Sequence, residues 1–205
     1  PGHAPLPVVL NLPGLHNVTN SLAAVAVATL VGVDDKAIVK GLSEFTGVGR
    51  RFAQYGQLPI RNAEGQATGS FTLVDDYGHH PHEIEATIAA VHTAWPEKRL
   101  LVVFQPHRYT RTRDCFEDFV NLLCQADAVV LADVYPAGEA PLVGADGRAL
   151  AHAVRLRGQN NLIFCPHIED VPAAVHKMVR DGDVVLTIGA GSVGRVPAML
   201  VKESK

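Results

Sequence analysis

Residues 71–91 read FTLVDDYGHHPHEIEATIAAV, and this stretch decides the fold. The apolar run 71–74 predicts a strand, and Pro81 opens a helical pattern with Ile84, Ile88 and Val91 on one face. Between them lie two carboxylates, a phenol and two imidazoles, which are costly to bury unless each group is paired. Strand, polar loop and helix in this order indicate an open α/β sheet that presents reactive groups at its strand ends.

The same alternation continues along the rest of the chain. Strands are predicted at 71–74, 100–104, 128–131, 162–164 and 184–188, and amphipathic helices at 81–95, 113–124, 148–156 and 171–179. The strands are short apolar runs without alternation, which is typical of strands buried on both faces. The sequence therefore predicts a Rossmann-like, mostly parallel α/β sheet with flanking helices and right-handed crossovers.

The first 45 residues follow a different pattern. Their predicted elements are a strand at 8–12, an alanine-rich helix at 22–33 and a second helix at 34–45. Asn17 is the predicted N-cap of the first helix. If that helix already begins near His16, then His16 and Asn20 lie one turn apart on one face.

A domain boundary is predicted in the basic segment 47–52, where glycines flank a change from helices to strands. Two strands follow it, joined by the polar turn 62–65. We therefore divide the chain into a short helical segment, 1–50, and a complete sheet domain, 51–205.

Composition limits the classes of function. The net charge of −3, with His neutral, gives no electrostatic footprint for nucleic acid or an anionic membrane. The longest apolar run, 22–33, is too short to span a bilayer. Cys115, Cys124 and Cys165 show no C-x-x-C spacing, so we expect buried thiols in a reducing cytosol rather than a disulfide or a zinc site.

Polar segments follow every strand of the predicted parallel sheet. They are 75–80, 105–111, 133–139, 165–167 and 189–194. The carboxyl ends of parallel strands share one edge, where such sheets bind ligands, so we expect these segments to meet in one cleft. Arg108 and Arg111 are expected to bind an anion there, because guanidinium groups match the geometry of carboxylates and phosphates. Two cations at a helix start oppose the helix macrodipole, which argues against a purely structural role for them.

Two motifs at this edge have less specific readings. The segment GAGSVG, 189–194, fits G-x-G-x-x-G but lacks the strand and acidic residue that a dinucleotide site needs after it, so it predicts a tight structural turn. Asp75, Asp76, His79 and His80 do not have the spacing of helical zinc sites, and we assign no metal ligand. A transient Mg²⁺ held partly by substrate phosphates is compatible with these residues.

Five ordered motifs resemble the Mur ligase family. They are PGLHNVTN at 13–20, GRRF at 49–52, DDYGHHP at 75–81, FQPHRYTR at 104–111 and DVYPAGE at 133–139. The resemblance extends over residues 8–200 at compatible spacing. Within the family, it is strongest to the members that add L-alanine to UDP-N-acetylmuramate.

The resemblance implies an ATP-dependent ligase of peptidoglycan synthesis. In this family a substrate carboxylate is phosphorylated, an amino acid attacks the acyl phosphate, and phosphate leaves. The implied ligands are ATP, Mg²⁺, UDP-N-acetylmuramate and L-alanine. Residues 1–50 would be the tail of a central P-loop ATPase domain, and 51–205 a C-terminal Rossmann-like domain. The sequence contains no G-x-x-x-x-G-K-[ST], so we expect the chain alone to be inactive and the Mg²⁺ ligands to lie mostly outside it.

The resemblance also assigns residues to ATP. His16, Asn17 and Asn20 resemble contacts to the adenine. Arg51 resembles the arginine that reaches the ATP phosphates, and Asp76 resembles the carboxylate that binds the ribose hydroxyls.

A second set of residues is assigned to the growing peptide. His79, Arg108 and Arg111 resemble residues that contact the muramoyl-alanine end. His79 is also the candidate catalytic residue, because an imidazole could accept the proton of the attacking ammonium.

Two alternatives stay open from the sequence. One is the recycling ligase of the same family, which attaches a tripeptide to the same sugar. The other is a stand-alone nucleotide-binding module without enzymatic activity. Whichever of these functions applies, the apolar helix at 22–33 could leave an exposed patch that promotes a homodimer.

Overall fold

A computed structural model describes residues 5–45, 47 and 49–204. Its six strands are β1 (Ala53–Arg61), β2 (Ala67–Asp76), β3 (Leu100–Phe104), β4 (Ala128–Ala132), β5 (Leu162–Cys165) and β6 (Val184–Ile188). They form one sheet in the order β1-β2-β6-β3-β4-β5. Only β1 is antiparallel to its neighbour, and every other pair is parallel. The predicted mostly parallel α/β sheet is therefore confirmed.

Helices cover both faces of this sheet. The α-helices are α1 (Leu15–Leu30), α2 (Asp35–Glu44), α3 (Pro81–Ala94), α4 (Tyr109–Asp114), α5 (Phe116–Leu123), α6 (Gly147–Leu156), α7 (Val171–Met178) and α8 (Val196–Glu203). Short 3-10 helices occupy Ile168–Asp170 and Ser192–Arg195. Helices α3, α5 and α6 pack on one face, and α7 and α8 pack on the other. The crossover helices thus enclose the sheet between two layers.

The strand sequences explain this enclosure. In β3 every residue is buried: Leu100, Val102 and Phe104 belong to the core on one face, and Leu101 and Val103 to the core on the other. Successive side chains of a strand point to opposite faces, so a strand covered on both faces needs apolar residues at every position. Polar groups are consequently displaced to the strand ends.

The first described residues differ from the sequence-based prediction. The strand predicted at 8–12 is wrong, because these residues form no strand in the described structure. Helix α1 begins at Leu15 with Gly14 (φ 100°) as its N-cap. Asn17 is therefore not the cap, and its Nδ2 donates instead to the Pro13 carbonyl at 2.7 Å.

The rest of the chain differs in smaller ways. The helix predicted at 113–124 is interrupted at Cys115 (φ −111°, ψ 23°), which separates α4 from α5. Strand β2 begins before residue 71, because it pairs with the whole of β1 in a hairpin. The C-terminal helix α8 lies in a segment for which no helix is predicted from the sequence. Among the described residues, no helix is both long enough and apolar enough to cross a bilayer.

Candidate functional site

Three strand ends are held together by one buried side chain, Gln105. This residue follows β3 and is 5% exposed. Its Oε1 accepts from the backbone of Val193 at 2.8 Å and from Ser192 Oγ at 3.2 Å, both beyond β6. Its Nε2 donates to the Asp133 carbonyl, beyond β4, at 3.2 Å. The amide thus ties the ends of β3, β4 and β6 together. The sequence shows only a polar residue after an apolar run at this position and does not reveal these partners.

The glycine-rich segment after β6 packs directly on Gln105. Gly189 has φ 141°, and a Cβ there would lie 2.7 Å from the Gln105 carbonyl oxygen. A Cβ on Gly191 would lie 2.6 Å from Gln105 Oε1 and 2.6 Å from the Cβ of Tyr135. Real Cβ atoms do not approach other atoms this closely, so the glycines are needed for packing. The segment forms a bend that leads into the 3-10 helix Ser192–Arg195, so its glycines have a packing role in the described structure.

Asp76 ends β2 and is 5% exposed. Its Oδ1 accepts from the Gly78 backbone N–H at 2.7 Å, and its Oδ2 accepts from the Phe52 backbone N–H at 2.8 Å. Burial raises the pKa of Asp76, while these two N–H groups and Arg51 oppose that rise. A carboxylate has about four acceptor sites. Each oxygen of Asp76 therefore keeps capacity for a further donor such as a hydroxyl.

A cavity of about 660 Å³ lies between helices α1, α2 and α3 and the end of β2. Its polar lining includes four of the predicted ATP residues: Asn17, Asn20, Arg51 and Asp76. Leu42, Phe45 and Phe52 provide part of its apolar lining. A cleft of several hundred cubic ångströms with apolar walls and a few convergent polar groups is the usual form of a small-molecule site.

The fifth predicted ATP residue, His16, lies in α1, but its side chain is outside the described residues. Arg51 is 48% exposed, and its nearest acidic partner is Glu83, with 3.7 Å between Nη1 and Oε1. This ion pair is long and solvated, so it contributes little to stability. The guanidinium therefore keeps donors for an anion.

The residues predicted to contact the peptide form a second group. The His79 and His107 rings have their centroids 5.7 Å apart, and His107 stacks on Tyr135. Arg111 Nη1 lies 3.3 Å from His107 Nδ1 and donates to the His107 carbonyl at 3.0 Å. The structure thus brings His79 and Arg111 together through His107, which the sequence marks only as a neighbour of the arginines.

Hydrogen bonds determine which ring nitrogens carry protons. His79 Nδ1 lies 3.2 Å from the Tyr77 carbonyl oxygen. A carbonyl only accepts, so Nδ1 carries the proton and Nε2 is free to accept one. In His107 the order is reversed, because Arg111 only donates and Nδ1 must accept. Burial lowers the pKa of His107, and the positive charges of Arg111, of His79 when its ring is protonated, and of Arg108 lower it further.

Arg108 occupies a different position from Arg111. It has φ 73°, a left-handed conformation that is uncommon for a residue with a Cβ, and it precedes α4. Its Nη1 lies 4.0 Å from Glu139 Oε1. Glu139 is held in turn by Thr110, whose hydroxyl donates at 2.6 Å and whose backbone N–H donates at 3.0 Å. Arg108 is thus at the exposed rim of the cleft, whereas Arg111 is half-buried.

Glu83 connects the two groups, although its role is not predicted from the sequence. Its Oε2 accepts from the backbone N–H groups of His79 at 3.0 Å and His80 at 3.1 Å, and it lies 3.5 Å from His79 Nδ1. Its Oε1 faces Arg51. Burial opposes its charge, but the two N–H groups, His79 and Arg51 outweigh burial and lower the pKa of Glu83. The third residue of a helix after a polar loop is the position of a capping carboxylate, and that signal could have identified it.

Comparison with known proteins identifies the fold. The family model described as Mur ligase, glutamate ligase domain, matches residues 62–191. The chain belongs to the Mur ligase family. The match extends from the β1–β2 hairpin to the glycine-rich turn after β6, so it includes the whole parallel part of the sheet. Asp76, His79, Arg108 and Arg111 all lie inside the part of the chain that matches the Mur ligase domain.

Curated relatives of this Mur ligase chain are longer proteins. It is 60% identical over 200 residues to the UDP-N-acetylmuramate–L-alanine ligase of Aromatoleum aromaticum, covering 98% of this chain and 42% of the relative. It is 57% identical over 202 residues to the protein of the same name from Paraburkholderia phytofirmans, covering 98% of this chain and 43% of the relative. The chain thus spans less than half the length of these relatives.

Solved structures agree with the family assignment. The crystal structure of UDP-N-acetylmuramate-alanine ligase from Thermotoga maritima has a TM-score of 0.74 and 27% identity, and covers 100% of this chain and 42% of that one. The folylpolyglutamate synthase of Mycobacterium tuberculosis has a TM-score of 0.66 at 20% identity, and covers 97% of this chain and 43% of that one. The second likeness shows that the Mur ligase fold is shared, and no more.

Proposed function

We propose that the chain is the part of a UDP-N-acetylmuramate–L-alanine ligase that closes over ATP and receives the amino acid. The observation that carries the proposal is the cavity lined by Asn17, Asn20, Arg51 and Asp76, in a chain that is 60% identical to a protein of that name. The reaction forms an amide in the bacterial cytoplasm during peptidoglycan synthesis. ATP phosphorylates the muramate carboxylate, the L-alanine amine attacks the acyl carbon, and phosphate leaves.

The geometry of the cavity supports the proposed ATP-binding roles. The remaining acceptor positions of Asp76 suit the two ribose hydroxyls, because its other positions are already occupied by backbone N–H groups. Arg51 offers a fork of donors to the phosphates. Asn17 and Asn20 line the cavity beside apolar side chains, which suits the polar edge and the flat face of a nucleobase. His16 keeps its proposed place at the adenine on sequence grounds alone.

The peptide-side roles follow from the second group of residues. His79 holds its Nδ1 proton on the Tyr77 carbonyl, so Nε2 accepts the proton that the L-alanine ammonium must lose before it attacks. Arg111 and Arg108 neutralise the two anions of this step, the alanine carboxylate and the acyl phosphate. Because His107 is uncharged and accepts from Arg111, it orients the guanidinium without competing for the anions.

The reaction also requires groups that this chain does not supply. The sequence has no G-x-x-x-x-G-K-[ST], and the described residues form no cluster of three acidic, histidine or cysteine side chains that could hold a metal. The described residues therefore offer no all-protein metal site, and we assign the ion to the ATP phosphates and to the central ATPase domain that the family pattern implies. The chain by itself is expected to be inactive. The division into 1–50 and 51–205 stays a prediction.

The proposal is tested on the full-length protein that contains this chain. Phosphate release should require ATP, Mg²⁺, UDP-N-acetylmuramate and L-alanine together. His79→Asn should lower kcat by roughly 10²–10⁴-fold, the usual contribution of a positioned acid or base. His92→Asn is the matched control, because His92 is an exposed histidine of α3, the helix that follows His79 in the chain. An enzyme that lacks activity with all four components, or equal rates for both variants, would contradict the proposal.

The two alternatives give different outcomes in the same assay. Phosphate release with a tripeptide but not with L-alanine would identify the recycling ligase. Tight ATP binding by residues 1–205 without turnover of the full-length protein would identify a nucleotide-binding module. The homodimer also stays a prediction, and it rests on the exposed apolar side chains of α1, which include Leu15, Leu22 and Leu30.

A further inference from the structure

Two pairs of adjacent charged residues, the doublets Arg50-Arg51 and Asp75-Asp76, meet beside the cavity. In each doublet only the second residue has a role in the proposed reaction. Arg51 and Asp76 line the cavity, whereas Arg50 and Asp75 do not. Arg50 Nε donates to Asp75 Oδ2 at 2.8 Å, and its Nη2 lies 3.4 Å from Oδ1. Asp75 is fully buried. The proposed chemistry leaves this ion pair without a function.

The pair joins the segment before β1 to two strands of the parallel sheet. Arg50 Nη2 also donates to the Gly189 carbonyl, beyond β6, at 2.7 Å. Thr187 Oγ1 of β6 donates to Asp75 Oδ1 at 2.6 Å. The guanidinium therefore contacts the ends of both β2 and β6. The site is also shaped for it, because a Cβ on Gly194 would lie 2.5 Å from Arg50 Cζ.

The backbone around Arg51 is strained and is held by the same contacts. Arg50 has φ 59° and Phe52 has φ 50°, so both residues that flank Arg51 are left-handed. The Arg50 carbonyl accepts from the Tyr77 backbone N–H at 2.7 Å, and the Phe52 N–H donates to Asp76 at 2.8 Å. Residues with a Cβ persist in this conformation only where the surroundings hold them.

We propose that Arg50 is a positioning residue for ATP binding, whose ion pair with Asp75 clamps segment 49–52 onto β2 and β6 and so holds Arg51 and Asp76 in the cavity. The inference rests on the proposed function, because it assigns a task to the neighbours of the ATP-binding residues. Arg50 does not touch the nucleotide. Its effect on ATP passes through Arg51 and through the Phe52–Asp76 hydrogen bond.

The same sheet contains a matched control for this ion pair. Arg99 and Asp183 lie before β3 and β6, at the opposite edge, with 2.6 Å between Nη1 and Oδ2. The burial of the two pairs is nearly equal: the arginine side chains are 24% and 20% exposed and the aspartates 0% and 2%. Loss of either arginine should therefore reduce stability similarly, but only Arg50 should affect ATP.

The experiment measures the KM for ATP, kcat and the urea midpoint of the full-length protein. Arg50→Met and Arg51→Met should each raise the KM for ATP about tenfold, the effect of losing one charge-assisted contact. The double variant should stay within about twofold of Arg51→Met, because Arg50 acts largely through its neighbour. Arg99→Met should lower the urea midpoint as Arg50→Met does and leave the KM unchanged. Arg50→Lys should recover part of the affinity, since it restores the charge without the fork.

Three results would overturn the inference. The first is an Arg50→Met enzyme with a wild-type KM and a midpoint lowered like that of Arg99→Met, which would show a purely structural ion pair. The second is a double variant whose KM rises by the product of the single effects, about a hundredfold. The third is a wild-type protein without ATP-dependent phosphate release, which would remove the proposed function as well. If Arg50→Met does not fold, Gly194→Ala, whose methyl group displaces the guanidinium, gives the same comparison.

Discussion

Gln105→Leu should destabilise the chain more than Gln105→Ala, although leucine fills more of the buried space that the glutamine side chain occupies. Leucine fills the same space but cannot accept from the Val193 N–H or donate to the Asp133 carbonyl. Leaving a buried donor or acceptor unsatisfied costs about 1–3 kcal/mol. Two such groups therefore cost roughly 2–6 kcal/mol in the leucine variant.

Alanine should cost less because it leaves room for water. A buried water needs two to four polar partners, and three are present in Val193 N, Asp133 O and Ser192 Oγ. A water in that space would restore most of the lost hydrogen bonds. The remaining cost is on the order of 1–3 kcal/mol, mainly from lost packing and an imperfect network.

Urea unfolding of residues 1–205, followed by the fluorescence of the single tryptophan, Trp95, measures the difference. A slope of about 2 kcal/mol per molar urea converts these costs into midpoint decreases of roughly 1–3 M for leucine and 0.5–1.5 M for alanine. The controls are the same two substitutions at Gln57, which is exposed in β1 and should change stability by less than about 0.5 kcal/mol. A leucine variant as stable as the alanine variant would refute the reasoning.

Two further predictions concern titratable groups. Because the pKa of Glu83 is lowered in the fold, its charge contributes stability above its ordinary pKa of 4.5, and that contribution is lost as the pH falls through the lowered value. Glu83→Gln should therefore lower the urea midpoint at pH 7 by the equivalent of roughly 0.5–1 kcal/mol and much less near pH 3.5; an equal effect at both values would contradict this. Burial raises the pKa of Cys165 to about 11, so its thiol should resist alkylation at pH 8 in the folded chain and react once urea unfolds it, as peptide mapping would show.

The sheet could be predicted because its strands are buried on both faces. Runs such as 100–104 and 184–188 are apolar at every position, and few other structures require that pattern. The run at 8–12 has a similar composition but forms no strand in the described structure. An apolar run becomes a strand only when a neighbour satisfies its backbone groups, and composition does not reveal that neighbour. For the same reason the sequence did not indicate that β6 inserts between β2 and β3.

The positions of single residues in the candidate site could be predicted from the sequence, but the hydrogen bonds between them could not. Polar residues after buried strands indicated where Asp76, His79 and Arg111 would lie, because the strand ends share one edge. The function of Gln105 depends on partners that are distant in the sequence, whereas Glu83 could have been identified as a capping residue from the helix start at Pro81. Propensity and spacing describe a residue's local conformation, whereas hydrogen bonds between strand ends are a property of the assembled sheet.

The two charged doublets show how adjacent, chemically identical residues acquire different tasks. Asp75 and Asp76 are successive residues of β2, so they point to opposite faces, and one meets Arg50 while the other meets the Phe52 N–H. Two attachments on successive strand residues fix two points of segment 49–52. The Arg50 carbonyl is held as well, because it accepts from the Tyr77 N–H at 2.7 Å. The place of Arg51 at the cavity therefore depends on both aspartates, although the described acidic side chain within ion-pair distance of its guanidinium is Glu83.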